Sequence, residues 1–146
     1  LLDRNLTELL CGEANEREQD PNGVTYCRKL EKEDSYCDFS LTAEQLEWRS
    51  RAFQVWPGSV FFYEGIPLRV GECRVSSGKH YKPGELVVED SKLLLGTGAG
   101  TLQILQLQKP GGKMLDVSDF LRGFAIKQPY EITFIPSSPL VSEKFH

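Results

Sequence analysis

The sequence predicts a mainly β domain: a small five-stranded barrel with a preceding helix and an N-terminal linker extension. Between residues 59 and 108, short β-branched and aromatic segments alternate with turns that contain Gly. Five antiparallel strands of this size close into a barrel of the oligonucleotide/oligosaccharide-binding (OB) type, which leaves no exposed edge. The length of 146 residues, of which 40% are apolar, suits one globular domain with an extension. A flat sandwich is the alternative fold.

The first 38 residues are interpreted as the extension. Residues 1–12 predict a short helix with four leucines on one face, ended by Gly12. Residues 13–23 are polar and contain Pro21, as is typical of a linker. Residues 24–30 are expected to be extended.

The next segment predicts a helix. Thr42 and Gln45 have the spacing of a capping box, in which the two side chains satisfy free N–H groups at a helix start. The helix is expected to run from Ala43 to about Phe53, with Arg49 and Arg51 largely on its outward side.

The strands follow in order. They are predicted at residues 59–63, 66–75, 85–89, 92–96 and 101–108. The first two are expected to form a hairpin around Glu64-Gly65, and the next two a hairpin around Asp90-Ser91.

A short terminal helix completes the predicted domain, which is placed at residues 39–123. Ser118 is expected to cap this helix and Gly123 to end it. Residues 124–146 contain three prolines and are predicted to be an extended or poorly ordered tail.

Composition excludes several function classes. No apolar run is long enough to cross a bilayer, so no membrane partner is expected. The four cysteines and two histidines show no CxxC pair and no cluster, so neither a zinc site nor a hydrolase triad is predicted. The cysteines are interpreted as reduced thiols of a cytoplasmic protein.

Charge is distributed unevenly along the chain. Residues 1–47 hold twelve acidic and five basic residues, a net charge of −7. Residues 48–146 hold nine acidic and twelve basic residues, a net charge of +3. This distribution permits a polyanionic partner for the second part without demanding one.

Several segments of the chain resemble, in order, the C-terminal domain of methionyl-tRNA formyltransferases and the stretch that joins it to the preceding domain. These are Thr25-Tyr26-Cys27-Arg28-Lys29, Asp38-Phe39-Ser40, Arg51-Ala52-Phe53, Trp56-Pro57-Gly58, Leu95-Gly96-Thr97-Gly98 with Gly100, Leu105-Gln106-Leu107-Gln108, Pro110-Gly111-Gly112-Lys113-Met114 and Asp119-Phe120-Leu121-Arg122-Gly123. In that family the C-terminal domain is an OB-like barrel.

The resemblance implies that catalysis takes place elsewhere. The family transfers a formyl group from 10-formyltetrahydrofolate to initiator methionyl-tRNA, using an N-terminal catalytic domain of the same chain. Nothing in these residues matches that domain. The fragment alone is therefore expected to be inactive, with no catalytic residue, no metal ligand and no cofactor of its own.

The role left for this domain is to bind and orient the tRNA. Basic side chains that neutralise phosphates would supply that affinity. The candidates are Arg49, Arg51, Arg69, Arg74, Lys79, Lys82, Lys109, Lys113 and Arg122. For any single one of them, an exposed solubilising charge is the simpler interpretation.

Individual residues carry structural alternatives as well. Arg51 is a candidate for a bond to the backbone or to a carboxylate. Trp56 before Pro-Gly is more often a core residue than a base-stacking one. Gly98, Gly100 and Gly123 are interpreted as positions that need a positive φ.

Two alternatives to tRNA binding remain open. In formyltransferases that act on sugar nucleotides, a similar barrel serves structure or oligomer contacts. A free-standing barrel that binds a protein or an unrelated ligand is the third hypothesis. The modest positive charge of residues 48–146, interspersed with acidic residues, keeps both of them open.

Overall fold

A computed structural model describes residues 2–15 and 17–142. The α-helices are α1 (Leu2–Cys11), α2 (Ala43–Ala52) and α3 (Val117–Gly123). The strands are β1 (Tyr26–Cys27), β2 (Ser59–Tyr63), β3 (Ile66–Val70), β4 (Cys73–Ser76), β5 (Glu85–Glu89), β6 (Lys92–Gly96), β7 (Thr101–Ile104), β8 (Gln106–Gln108), β9 (Leu115–Asp116), β10 (Tyr130–Glu131) and β11 (Val141–Ser142). The expectation of a mainly β chain with a helix before the strands is confirmed.

The chain forms two compact units. The first holds the residues up to Arg28 and those from Leu140 onwards, and the second is Lys29–Pro139. In the first unit, α1 ends at Cys11, and β1 pairs with β11 in an antiparallel two-stranded sheet. The second unit is wider than the predicted range of 39–123.

Two sheets build the second unit. One has five strands in the order β10-β5-β6-β7-β4, and the other has four in the order β2-β3-β8-β9. All of their strand pairs are antiparallel. The two predicted hairpin turns are confirmed. Glu64 and Gly65 in the first turn, and Asp90 and Ser91 in the second, all have positive φ, as a tight two-residue turn requires.

Two predicted long strands are each broken by a bend. Residues 66–75 form β3 and β4, and residues 101–108 form β7 and β8. The two bends face each other: the N–H groups of Leu105 and Gln106 both donate to the Glu72 carbonyl, at 2.8 and 3.2 Å. A side chain at Gly71 would meet the Met114 sulfur at 2.7 Å, so the Met114 side chain packs closely over this bend.

These bends explain why a single closed five-stranded OB-like barrel is not confirmed. Each bent segment contributes one strand to each sheet, so five expected strands become seven and divide between two sheets. Strands that change sheets through a bend make the corners of packed β structures.

The core lies between the sheets, α2 and α3. Phe39, Leu68, Leu86, Leu93 and Leu107 are fully buried there. The ring of Phe39 packs edge-on against Phe61 and Phe134, with centroids 6.4 and 5.6 Å away. Helix α2 presents Leu46 and the following Phe53 to this core, as its pattern predicts.

Residues 124–139, predicted as an extended or poorly ordered tail, are part of the folded unit. β10 pairs with β5, and the buried Ile132 donates its N–H to the Gly84 carbonyl at 2.8 Å. Apolar residues spaced two apart in this segment reach the core, a pattern that the three prolines concealed. They are Phe124, Ile126, Tyr130, Ile132 and Phe134.

The start of α3 also differs from the prediction. Asp116, not Ser118, occupies the N-cap position, and it makes no side-chain capping bond. Its carboxylate accepts instead from the Gln106 amide at 3.2 Å. The helix starts early because Val117 is buried and donates its N–H to the Leu105 carbonyl.

A positive φ is predicted at three glycines, and the structure confirms it at one of them. Gly100 has φ +85°, as expected. Gly98 does not have a positive φ; a side chain there would lie 2.0 Å from the Ser40 carbonyl oxygen, so contact is what requires glycine. Gly123 has neither a positive φ nor a neighbour within 4 Å.

Among the described residues, none of the helices has the length and apolar character needed to span a bilayer.

Candidate nucleic-acid interface

The segment before α2 is held by a buried carboxylate. Asp38 accepts hydrogen bonds from the Ser40 N–H and hydroxyl at 3.0 and 2.6 Å, and from the Ser137 N–H and hydroxyl at 2.7 and 3.0 Å. Burial by itself raises the pKa of Asp38, but these four bonds favour the charged form and outweigh it, so the pKa is lowered. Asp38 is thus a structural anchor.

A second motif packs against the same segment. The Gly98 N–H donates to the Leu41 carbonyl, and the Ala43 N–H donates to the Ala99 carbonyl, both at 2.9 Å. At the start of α2, Gln45 and Thr42 form the predicted capping box, with bonds of 3.0 and 3.2 Å. The Asp-Phe-Ser and Gly-Thr-Gly motifs therefore build the junction at the N-terminal end of α2.

Arg49 belongs to this structural network and does not point outward as predicted. Its guanidinium donates to the Ser137 hydroxyl at 3.1 Å and to the Asp34 carbonyl at 3.3 Å. It also lies over the Phe53 ring, 5.2 Å from the centroid. Because its donors are engaged within the domain, Arg49 is a poor candidate for phosphate contact.

Four of the other candidates are held by partners within the chain. Arg51 pairs with Glu47 at 2.8 Å, Lys79 with Glu89 at 3.2 Å, and Arg122 with Asp119 at 2.8 Å. Arg74 donates instead to the Gln103 amide oxygen at 3.1 Å, across the β4–β7 pair. Arg51 thus has the carboxylate bond that its position suggested.

The remaining four candidates make no ion pair within the described part of the chain. They are Arg69, Lys82, Lys109 and Lys113, and all four are exposed.

Three of these four lie on β3 or in the turn that joins β8 to β9 of the four-stranded sheet. Arg69 lies on β3 directly opposite Gln108 on β8. Lys109 follows Gln108, and Lys113 ends the turn that begins there, which is closed by a bond from the Gln108 amide to the Gly112 carbonyl at 2.7 Å. We call Arg69, Lys109 and Lys113 the β3–β8 basic patch. Lys82 lies apart from it, in the loop before β5 and beside Glu85.

Arg69 is also fixed to the turn that follows α2. Its guanidinium donates to the Gln54 carbonyl at 3.1 Å. It packs so closely over Gly58 that a Cβ there would lie 3.2 Å from Arg69 Nε. One donor is used in this bond, and the others remain available to an anion.

Trp56 is not the core residue that its setting predicts. It is 54% exposed, and Val55 next to it is 93% exposed. Phe53 fills the core position in its place. Helical spacing does not separate the two positions, because residues three apart share one face; Trp56 leaves that face because the helix ends at Ala52.

Cys37 and Cys73 both line a small cavity beneath α2. Desolvation, together with the neighbouring Cys73, raises the pKa of the Cys37 thiol to about 12. Desolvation also raises the pKa of Cys73. Both thiols stay protonated at neutral pH and are weak nucleophiles.

Two further cavities are large enough to hold water or a small molecule. An apolar one of about 140 Å³ lies between β2 and residues 132–135. A polar one of about 300 Å³ is bordered by Glu47 and Glu72. Within residues 2–15 and 17–142, no group of three or more His, Cys, Asp or Glu side chains could hold a metal ion.

Comparison with known sequences identifies related proteins. The family described as "Formyl transferase, C-terminal domain" matches residues 29–125. A methionyl-tRNA formyltransferase of Janthinobacterium sp. (strain Marseille) is 34% identical over 113 residues, 75% of this chain and 36% of the relative. One from Magnetococcus marinus is 36% identical over 111 residues, 75% of this chain and 35% of the relative. The chain thus spans about a third of the length of these curated relatives.

Solved structures share the fold. HypX from Aquifex aeolicus, in a multiple-substitution variant, superimposes with a TM-score of 0.52 at 19% identity, covering 99% of this chain and 25% of HypX. HypX in complex with tetrahydrofolic acid gives the same TM-score and identity, covering 73% of this chain and 22% of HypX.

Proposed function

We propose, from the premise that this chain belongs to the formyl transferase C-terminal domain family, that it is the tRNA-binding domain of a methionyl-tRNA formyltransferase. In this role it orients initiator methionyl-tRNA while an N-terminal catalytic domain of the same protein transfers the formyl group. Relatives named methionyl-tRNA formyltransferase support the choice of acceptor.

The β3–β8 basic patch is the observation that carries this proposal. A side chain that already pairs with a carboxylate must give up that bond to contact a phosphate, whereas Arg69, Lys109 and Lys113 need not. Contacts from these three residues to phosphates do not depend on the nucleotide sequence, and they position the RNA on the domain.

The formyl donor is assigned to the catalytic domain. We infer that the intact enzyme uses 10-formyltetrahydrofolate, in keeping with the family. The residues described here do not suit this molecule: the apolar cavity of about 140 Å³ is smaller than the ~300–1,000 Å³ of typical ligand sites. The larger cavity presents Glu47 and Glu72, and Arg51, the basic side chain among its described lining residues, is already paired with Glu47, so the cavity does not favour the carboxylates of folate.

The first compact unit is assigned to the connection with the catalytic domain. Helix α1 exposes Leu6, Leu9 and Leu10, which is an apolar face that a neighbouring domain can cover. We infer a cytoplasmic enzyme, in agreement with the four free cysteines.

Binding of initiator tRNA to the 146-residue chain tests the proposal. We expect binding at low salt that weakens steeply as salt rises, because contacts to phosphates release counterions. Charge reversal of the patch (Arg69→Glu, Lys109→Glu and Lys113→Glu together) is expected to weaken binding at least about 10-fold at low salt. The matched control reverses Arg51, Lys79 and Arg122, which are already paired, and is expected to have a smaller effect.

Absence of binding at low salt would contradict the proposal. It would favour the alternative of a structural or oligomer-forming domain from a formyltransferase that acts on sugar nucleotides. Binding that is insensitive to salt would likewise exclude a phosphate-based interface.

A further inference from the structure

An exposed indole lies beside the β3–β8 basic patch and has no role in the proposal above. Tryptophan is highly buried on average, yet more than half of Trp56 is accessible. The residue lies at the tip of the turn formed by residues 53–58, which we call the α2 turn. This turn follows a helix whose other face is packed into the core.

The α2 turn is rigidly attached. The Gly58 N–H donates to the Phe53 carbonyl at 2.8 Å, and Phe53 itself is buried. Trp56 is therefore exposed on a turn that a hydrogen bond closes and that the buried Phe53 anchors.

Arg69 joins this turn to the patch. Its guanidinium bonds to Gln54 at one end of the turn and packs on Gly58 at the other, so it braces the loop that carries Trp56. The close approach is possible because residue 58 has no side chain. Trp56 and the guanidinium of Arg69 are thus associated with the same turn, and Arg69 lies opposite Gln108, the residue before Lys109.

The chemistry of this surface suits an unpaired nucleotide. A base offers a flat π-face to an aromatic ring, and its phosphate offers a charge to a neighbouring Arg. An apolar protein face would cover Val55 and Trp56 as well, but it would desolvate the unpaired charge of Arg69 without compensation. Glu47 and Glu72 line a cavity together with Gln54 of the same turn, but Glu47 is already paired with Arg51. The three unpaired cations of the patch therefore favour nucleic acid over protein.

We propose that Trp56 and Arg69 form a subsite for one unpaired nucleotide of the bound RNA, with the base stacked on the indole and the phosphate held by the guanidinium. This inference rests on the proposed RNA-binding function and adds to it a preference for single-stranded over paired nucleotides. Trp48, on the outward face of α2, serves as a reference because it is similarly exposed but lies outside the braced turn.

The test compares two RNA hairpins with the same stem, one with a short unpaired 3′ tail and one with a blunt end. In the Trp48→Phe chain, Trp56 is the only fluorescent indole. We expect the tailed hairpin to quench it and the blunt hairpin to leave it nearly unchanged. Trp56→Ala should weaken binding of the tailed hairpin about 5- to 150-fold and leave the blunt hairpin unaffected, since a stacked base contributes about 1–3 kcal/mol. Trp56→Phe should retain most of the affinity.

The outcomes separate the two proposals. No quenching of the Trp48→Phe chain by the tailed hairpin overturns the nucleotide subsite, whether or not Trp56→Ala folds. Equal weakening of both hairpins by a Trp56→Ala chain that is shown to be folded overturns it as well. Salt-dependent binding of the blunt hairpin without any effect of the tail rejects the subsite and keeps the RNA-binding function. Failure of both hairpins to bind at low salt rejects both proposals.

Discussion

The two ends of α2 differ in how their polar groups are used. At the N-terminal end, Asp38 accepts four hydrogen bonds and the Thr42–Gln45 capping box is complete. At the C-terminal end, Arg69 makes one bond to the chain and Trp56 is exposed. At the first end the polar groups named are bonded within the chain, and at the second they remain accessible to solvent.

This difference separates residues that maintain the domain from residues available to a partner. A buried carboxylate with all its bonds made contributes stability that is lost when any partner is removed. An exposed cation without a carboxylate contributes little to stability but keeps its charge for a ligand. Substitutions at the N-terminal end should therefore affect folding, and substitutions at the C-terminal end should affect binding.

The largest effect on stability is expected at Gly98. Gly98→Ala places a methyl group 2.0 Å from the Ser40 carbonyl oxygen if nothing moves, so the junction before α2 must shift. We expect the free energy of unfolding, measured by urea titration, to fall by about 3 kcal/mol or more.

Gly123→Ala is the matched control, because nothing lies within 4 Å of a side chain at that position. It should change stability by less than about 1 kcal/mol, with the sign favouring Ala in a helix. Equal destabilisation by the two substitutions would contradict the account of the junction.

A slightly smaller loss is expected at Asp38. Asp38→Asn turns an acceptor-only group into one that also carries donors, which then face the N–H of Ser137 or Ser40. We expect unfolding to become easier by about 2–3 kcal/mol in thermal or urea experiments. Asp119→Asn, in an exposed pair with Arg122, should cost less than about 0.5 kcal/mol.

The same carboxylate predicts the direction of a pH effect. The folded-state pKa of Asp38 is lowered, so its contribution is present above the unfolded pKa of about 3.9 and is lost as pH falls through the folded value. The stability gap between the unsubstituted chain and Asp38→Asn should be constant from about pH 5 to 7 and narrow below about pH 4. A gap that widens in acid would show that the carboxylate is not the stabilised form.

The smallest effects distinguish single cations in RNA binding. Lys113→Ala removes an unpaired charge and should reduce the slope of log K against log salt by about 0.9. Arg122→Ala removes a charge already paired with Asp119 and should change the slope much less. Neither substitution should alter stability by more than about 0.5 kcal/mol. Equal slopes of log K against log salt for the two variants would contradict the prediction that unpaired cations contribute more to RNA binding than paired ones.

Local signals predicted much of the fold. The capping box of α2 and the two hairpin turns depend on residues a few positions apart, and the structure has them where the spacing places them. The bends at Gly71 and Leu105 were missed because each depends on a segment more than thirty residues away in the chain. The packing of residues 124–139 was missed for the same reason: Ser137 is fixed by Asp38.

The candidate site likewise combines contacts that local spacing predicts with contacts that depend on the tertiary structure. The pairing of Arg51 with Glu47 and of Arg122 with Asp119 follows from helical spacing and was readable in the sequence. The engagement of Arg49 by Ser137, and of Arg69 by the Gln54 carbonyl, requires the tertiary structure. Composition alone therefore predicts nine candidate cations but does not show which of them are already engaged within the chain.

Salt titration of two triple variants tests the central claim most directly. One variant, Arg69→Ala with Lys109→Ala and Lys113→Ala, removes the β3–β8 basic patch, and the other, Arg51→Ala with Lys79→Ala and Arg122→Ala, removes three paired cations. We expect the first variant to lower the slope of log K for initiator tRNA by about 2–3 and the second to lower it by less than about 1. An equal or larger reduction in the second variant would contradict the claim that the unpaired cations hold the RNA.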